Sequence, residues 1–187
     1  MSALELKLRE PRDRLGLKGP RAAEWLAAHG MVLPMTPNTW TRSAAIPATE
    51  ALLVARLGTS EYFLEDAAAG TTLKRMSSSL DAQMPGVYPV LREDWAFRLG
   101  GEGVHEVLAQ VCNVNFAALS LDSNPLIMTL MIGVAVLVVP QGAAGGPDAA
   151  SERQYRIWCD PTFGPYLSES LGAVVIECGG RYRGVSG

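Results

Sequence analysis

Apolar positions along this chain recur in two rhythms. Ala22, Trp25, Leu26 and His29 stand at i, i+3, i+4 and i+7, and so do Val104, Val107, Leu108 and Val111. That spacing puts each set on one face of a helix. Glu24 and Glu106, and Ala27 and Ala109, share the same offset. Each predicted helix follows a short strand ending in glycine, Leu15-Gly16-Leu17-Lys18-Gly19 in the first half and Phe97-Arg98-Leu99-Gly100-Gly101 in the second. An internal duplication organises the chain.

Later elements keep the correspondence. Leu52 to Leu57 reads as a strand, turned tightly at Gly58-Thr59 into Glu61-Tyr62-Phe63-Leu64. In the second half the uninterrupted apolar run from Leu126 to Val139 reads as one buried strand. Gln154 to Trp158 follows it after a flexible loop over 141–152 that contains Gly142, Gly145, Gly146 and Pro147. Thr71 or Thr72 is the expected cap of a helix carrying Leu73, Met76 and Leu80, and Thr162 that of a helix with Pro165 in its first turn. Gly172 is expected at the C-terminus of the second of these helices. Closing strands are expected at Val87 to Leu91 and at Ala173 to Ile176.

The predicted fold class is therefore α+β: two tandem β-α-β-β-α-β ferredoxin-like units, each an antiparallel sheet with helices on one face, packed as one domain. The first half is expected to span residues 1–91 and include an N-terminal arm. The second is expected to span 92–187, with the loop at 141–152 and a C-terminal tail. Leu4, Leu6 and Leu8 alternate with Glu5, Lys7 and Arg9, which reads as an edge strand or arm rather than the apolar core of a signal segment.

Composition narrows the partners. The chain has 187 residues, 48% of them hydrophobic and 19% charged, with a net charge of −3. Average charged usage is about 25%, so apolar surface is expected to lie against partner chains. An acidic balance argues against nucleic acid. The longest apolar run is shorter than the roughly 20 residues a bilayer span takes, so no membrane partner is expected. Three widely spaced cysteines, Cys112, Cys159 and Cys178, read as free thiols of a reducing cytoplasm.

Candidate chemistry is sparse. His29, on an apolar face near a helix end, reads as a packed histidine, and His105 as a solvated one; neither has a second ligand at metal-binding spacing. Gly100-Gly101-Glu102-Gly103 opens a helix after a strand, as phosphate loops do. It has neither the G-x-G-x-x-G pattern nor a Walker lysine, and Glu102 repels phosphate. Ser77-Ser78-Ser79 lacks a nucleophile context. Asp160 disfavours a thiolate at Cys159. Among the carboxylates, Glu61, Glu65 and Asp66 are scattered, and Arg92-Glu93-Asp94 reads as a solvated, ion-paired turn. Trp25, Phe63, Phe97 and Trp158 fit core positions. Trp40, in the proline-containing loop Pro34 to Arg42, is either folded onto the core or an anchor for a partner. No catalytic residue and no metal ligand is expected, and no cofactor-binding residue is assigned.

Val87-Tyr88-Pro89-Val90-Leu91-Arg92-Glu93-Asp94, leading into Trp95-Ala96-Phe97-Arg98-Leu99-Gly100-Gly101 and then Glu106 to Cys112, is similar to the central segment of sarcosine oxidase gamma subunits. Leu15 to Gly19, Trp25-Leu26 and Pro37-Asn38-Thr39-Trp40 resemble their N-terminal half. Phe163 with Tyr166-Leu167 and Leu171 resembles their C-terminal helix, and Pro161-Thr162 departs from the Arg-Ser pair expected before it. The resemblance implies a fold related to the folate-binding aminomethyltransferases. It implies a non-catalytic subunit assembled with alpha, beta and delta subunits, in a complex that oxidises an N-methyl amine and passes the one-carbon unit to tetrahydrofolate. FAD, FMN, NAD and tetrahydrofolate are then expected in the other subunits and none on this chain alone. A stand-alone folate-binding aminomethyltransferase-like protein and a ferredoxin-like, ligand-sensing dimerising module are the competing expectations.

Overall fold

A computed structural model of the chain describes residues 3–9, 11–43, 51–66, 71–80, 84–142 and 153–184. The chain divides into two compact units, residues 12–93 and residues 1–11 with 94–187. Each is a mixed α+β structure.

The unit of residues 12–93 holds β2 (Arg14–Lys18), α1 (Ala22–Ala28), β3 (Thr39–Ser43), β4 (Leu52–Arg56), β5 (Glu61–Glu65), α2 (Thr72–Ser78) and β6 (Tyr88–Val90). Its antiparallel sheet has the order β3-β4-β5-β2-β6. Without β3 this is the split β-α-β arrangement that the sequence predicts. β3 is an addition: Thr39 to Ser43, expected in a loop because of the flanking prolines, pairs with β4 along its whole length. Its alternating Thr and Trp side chains suit a pleated surface. The core lies between sheet and helices, where Leu15, Leu17, Val54, Tyr62 and Leu64 meet Trp25, Leu26, Leu73 and Met76. Neither Thr71 nor Thr72 caps α2 through its side chain. Asp66, just past β5, accepts the Leu73 amide at 3.1 Å. A carboxylate satisfies an orphan amide and the helix dipole together, which a hydroxyl does less well. Asp66→Ala is expected to cost about 1–2 kcal/mol in urea unfolding.

The second unit holds β1 (Glu5–Leu8), β7 (Trp95–Gly100), α3 (Val104–Val111), β8 (Ile127–Met131), β9 (Val134–Gln141), β10 (Gln154–Cys159), α4 (Gly164–Glu177) and β11 (Arg181–Arg183). The sheet order is β11-β1-β7-β10-β9-β8. Five expectations are corrected here. The N-terminal arm does not belong to the first half: β1 is an interior strand of this sheet, antiparallel to β7 and parallel to β11. The run from Leu126 to Val139 is a hairpin, β8 and β9, turned at Ile132 and Gly133, with φ of 49° and 80°. Two left-handed residues in succession match the twist of a tight hairpin. Ala173 to Ile176 is helical rather than a closing strand, because Leu167, Leu171 and Val175 continue one buried stripe through it. The helix ends later than expected, at Gly179 (φ 78°), where Gly180 and Gly179 donate to the carbonyls of Val175 and Ile176. Thr162 is itself capped: its amide donates to Asp160 at 2.8 Å in a short 3-10 turn that leads into α4. Most of the loop expected at 141–152, and the last three residues of the tail, lie outside the described residues.

The duplication runs further than the helix pattern shows. β6 lies beside β2 as β1 lies beside β7: Gly16 faces Val90 and Lys18 faces Tyr88, as Arg98 faces Lys7 and Gly100 faces Glu5. Each repeat thus begins with a strand that is built into the other repeat's sheet. The matching tripeptides Leu8-Arg9-Glu10 and Leu91-Arg92-Glu93 record this in the sequence. Gly19 and Gly101 mark the crossing in both copies, with φ of 121° and 104°. A Cβ there would meet the carbonyl oxygen of Gly86 in one case and of Ala3 in the other. Alanine at either glycine combines backbone strain with a clash. Each substitution is expected to cost about 2 kcal/mol or more, read as a lowered urea midpoint.

Candidate functional site

The two-residue period of β5 gathers the carboxylates that look scattered in the sequence. Glu61, Phe63 and Glu65 all point away from the helices of their unit, as do Arg14 and Gly16 on β2. Arg14 and Glu65 are register partners, and Arg14 Nε donates to Glu65 Oε2 at 2.8 Å with both side chains buried. Gly16 leaves room for the side chains of Val90 and Arg92 above it. Arg92 extends across the Phe63 ring, 5.5 Å from its centroid, to within 3.6 Å of Glu61, which also pairs with Lys18 at 3.2 Å. Arg92 is therefore drawn onto the sheet face and not left solvated as expected, while Leu91 and Glu93 beside it are exposed. Trp40 lies on the same face, 8% exposed, with its indole N–H making no hydrogen bond among the described residues. This face is a set of neutralised charges. A carboxylate held by a buried guanidinium is fixed in orientation with its lone pairs occupied, which suits a general base poorly.

The two histidines serve different elements. His29 caps α1, with its ring 3.9 Å from that of Trp25. Its Nδ1–H donates to the Trp25 carbonyl at 2.8 Å, and Nε2 meets Ser79 Oγ at 3.1 Å. It thereby ties α1 to α2 beside a groove of about 290 Å³ lined also by Met31, Thr72, Arg75 and Met76. His105 is not solvated as expected: its Nε2 lies 2.7 Å from the Tyr155 hydroxyl. Burial first, and then the charge of Arg153, hold His105 below the usual histidine range, and burial raises Tyr155. The neutral ring with its proton on Nδ1 is the form that accepts a hydrogen bond at Nε2 from the Tyr155 hydroxyl. Arg153 in turn donates to the carbonyls of Phe116 and Leu119, at 3.0 and 2.9 Å.

A depressed histidine stabilises the fold above its unfolded value of 6.5. That contribution is lost as pH falls below this value, because the unfolded chain takes up the proton first. Urea midpoints are thus expected to fall between pH 7 and pH 5, and His105→Gln is expected to flatten part of that slope.

The remaining candidates are held by the fold itself. Gly101, in the stretch that resembles a phosphate loop, serves the close approach of Ala3. Ser78 and Ser79 donate back to helix carbonyls at 2.9 and 2.7 Å. Cys112 meets Thr129. Cys159 is pushed up to about 11, by burial first and then by Asp94 and Asp160. Cys178 is only half-buried. Iodoacetamide at pH 8 is expected to label Cys178 first and to leave Cys159 unmodified until the protein unfolds, as read by peptide mass mapping. Among the described residues no group of three or more His, Cys, Asp or Glu side chains is placed to hold a metal, and no helix is long and apolar enough to cross a membrane. The sequence reading missed the Arg14–Glu65 pair. Its one available signal was a charge at the same register position of two strands.

No protein family matches the chain, and no curated protein does. Solved structures do. A chain of the heterotetrameric sarcosine oxidase from Corynebacterium sp. U-96, in complex with pyrrole 2-carboxylate, superposes with a TM-score of 0.66 at 20% identity, over 92% of this chain and 83% of that one. The glycine cleavage system aminomethyltransferase T from Bartonella henselae superposes with a TM-score of 0.61 at 15% identity, over 98% of this chain but 48% of that one. This chain shares their fold. At these identities the likeness speaks for the fold alone.

Proposed function

We propose that this chain is the small, non-catalytic gamma-type subunit of a flavin-dependent, heterotetrameric sarcosine oxidase-like enzyme. The observation that carries the reading is the match in length. The chain aligns nearly end to end with a chain of the sarcosine oxidase, whereas it spans about half of the aminomethyltransferase. In this reading the enzyme is cytoplasmic and oxidatively demethylates an N-methyl amine, passing the one-carbon unit to tetrahydrofolate. FAD, FMN, NAD and tetrahydrofolate sit in alpha, beta and delta partners, and this chain braces them. The neutralised charges around Arg14 and Glu65 suit a scaffold better than a reaction centre.

The test is co-expression with the large flavoprotein subunits. A yellow complex that contains this chain and oxidises sarcosine or another N-methyl amine is expected, while the chain purified by itself is colourless. A chain that stays outside the complex, or that oxidises the amine by itself, overturns the reading. Calorimetry with tetrahydrofolate on the isolated chain separates the second reading, a stand-alone aminomethyltransferase-like protein, because only that reading requires a saturable signal.

A further inference from the structure

The connection from α3 to β8 carries a 3-10 turn over Phe116–Ala118. Contacts from β10 and the residue before it hold this turn. The Phe116 ring is buried and meets the Tyr155 ring edge-on, with centroids 5.3 Å apart. Arg153 Nη1 donates to the carbonyls of Phe116 and Leu119, at 3.0 and 2.9 Å, and so clasps the turn from both sides. The Tyr155 hydroxyl stands between two groups. His105 Nε2 lies 2.7 Å away, and Arg153 also hydrogen-bonds it. A guanidinium only donates, so the Tyr155 oxygen accepts from Arg153 and gives its own proton to His105. Arg153, Tyr155 and His105 thus form one chain of donors that ends on the lone pair of the imidazole.

We propose that these three residues are an acid-sensitive latch on the 3-10 turn, and that a proton on His105 Nε2 opens it. An imidazolium has no lone pair, so the Tyr155 proton loses its acceptor. The Tyr155 oxygen then faces two cationic donors, in a half-buried site where like charges are poorly screened. The repulsion falls on the guanidinium that clasps the turn. Arg153 is the charge that bears on His105 from the β10 side. The turn contributes no titratable side chain, and the carboxylates beside His105 along its own helix, Glu102 and Glu106, are exposed. α4 meets α3 through Cys178 at Gln110, nearer the other end of that helix. Burial, and then Arg153, hold His105 below the usual histidine range. The latch is therefore closed above pH 6.5 and opens as pH falls below that value. This inference does not rest on the proposed function, since all of these contacts lie within one unit.

The test is hydrogen exchange on the full-length chain at about pH 7.5 and about pH 5, with labelling times matched for the chemical exchange rate. Amides of residues 113–121 are expected to exchange about tenfold or more faster at the lower pH, relative to those of α4 in the same unit. His105→Gln keeps an acceptor for Tyr155 but takes up no proton, so its turn should stay protected at both values. Tyr155→Phe keeps the ring against Phe116 and removes the hydroxyl, so exchange of its turn should no longer depend on pH. Circular dichroism identical to the parent shows that the variants fold. Equal protection of the turn at both pH values in the parent overturns the proposal. So does a pH dependence that survives in His105→Gln, or a loss of protection that α4 shares in full.

Discussion

Glu65→Ala is expected to lower the unfolding free energy by about 3–5 kcal/mol, the usual cost of removing one partner from a buried ion pair. The substitution leaves the Arg14 guanidinium, buried in the middle of a sheet, without the carboxylate that it meets at 2.8 Å. A buried charge that loses such a counter-charge is destabilised by the weakened compensation of its burial. Glu65→Gln should cost less, because the amide oxygen still accepts from Arg14 Nε. Replacing Arg14 and Glu65 together by methionine and leucine should recover much of the loss, since apolar residues of similar volume often equal a buried pair. Urea unfolding of the three variants gives the comparison. If Glu65→Ala shifts the transition by less than about 1 kcal/mol, the pair is held too weakly to organise this face.

Removing residues Met1–Arg9 is expected to have the larger effect. Leu4, just before β1, and Leu6 within it enter the core of their unit, and among the described residues β11 has no strand neighbour except β1. Burial of two leucines contributes about 1.5–3 kcal/mol each. The deletion also opens the edge of β7 and strands β11. The sum is comparable to the whole stability of a typical domain, about 5–15 kcal/mol. Amide protection in β7, β10 and β11 should therefore collapse in the truncated protein, and the exposed β7 edge should promote aggregation. A milder form of the same test is Leu6→Ala, expected to cost about 2–5 kcal/mol. Undiminished protection in β10 after truncation would mean that β1 is an ornament of the sheet and not a structural strand.

Both effects come from contacts between residues far apart in the chain, and the same distinction explains how much of the molecule was legible in its sequence. The helices over Ala22 to Ala28 and Val104 to Val111 were readable because their apolar stripe is periodic within one turn of its own segment. The hairpin of β4 and β5 was readable from Gly58-Thr59 between two apolar runs. Ala173 to Ile176 was misread because a short run of Ala, Val and Ile fits a strand as well as a buried helix. Only the sheet beneath Leu171 and Val175 decides between them. Trp40 was placed in a loop because the prolines before it are a strong local signal, whereas the strand that pairs with it begins beyond residue 50. Among the candidate site residues, the spacing along the chain could be read directly. The partners that hold these residues could not: Tyr155 for His105, Arg14 for Glu65 and Arg92 for Glu61.

By itself, then, the sequence determined the duplication, the α+β class and the faces of the helices, all of which are set by the local rhythm of side chains along a backbone of known pitch. Tertiary structure alone decided that the first strand of each repeat enters the other repeat's sheet, that one apolar run folds into a hairpin, and that the carboxylates of β5 are spent on arginines. Those outcomes depend on which distant segment supplies hydrogen bonds and counter-charges, and no periodicity within a segment carries that information.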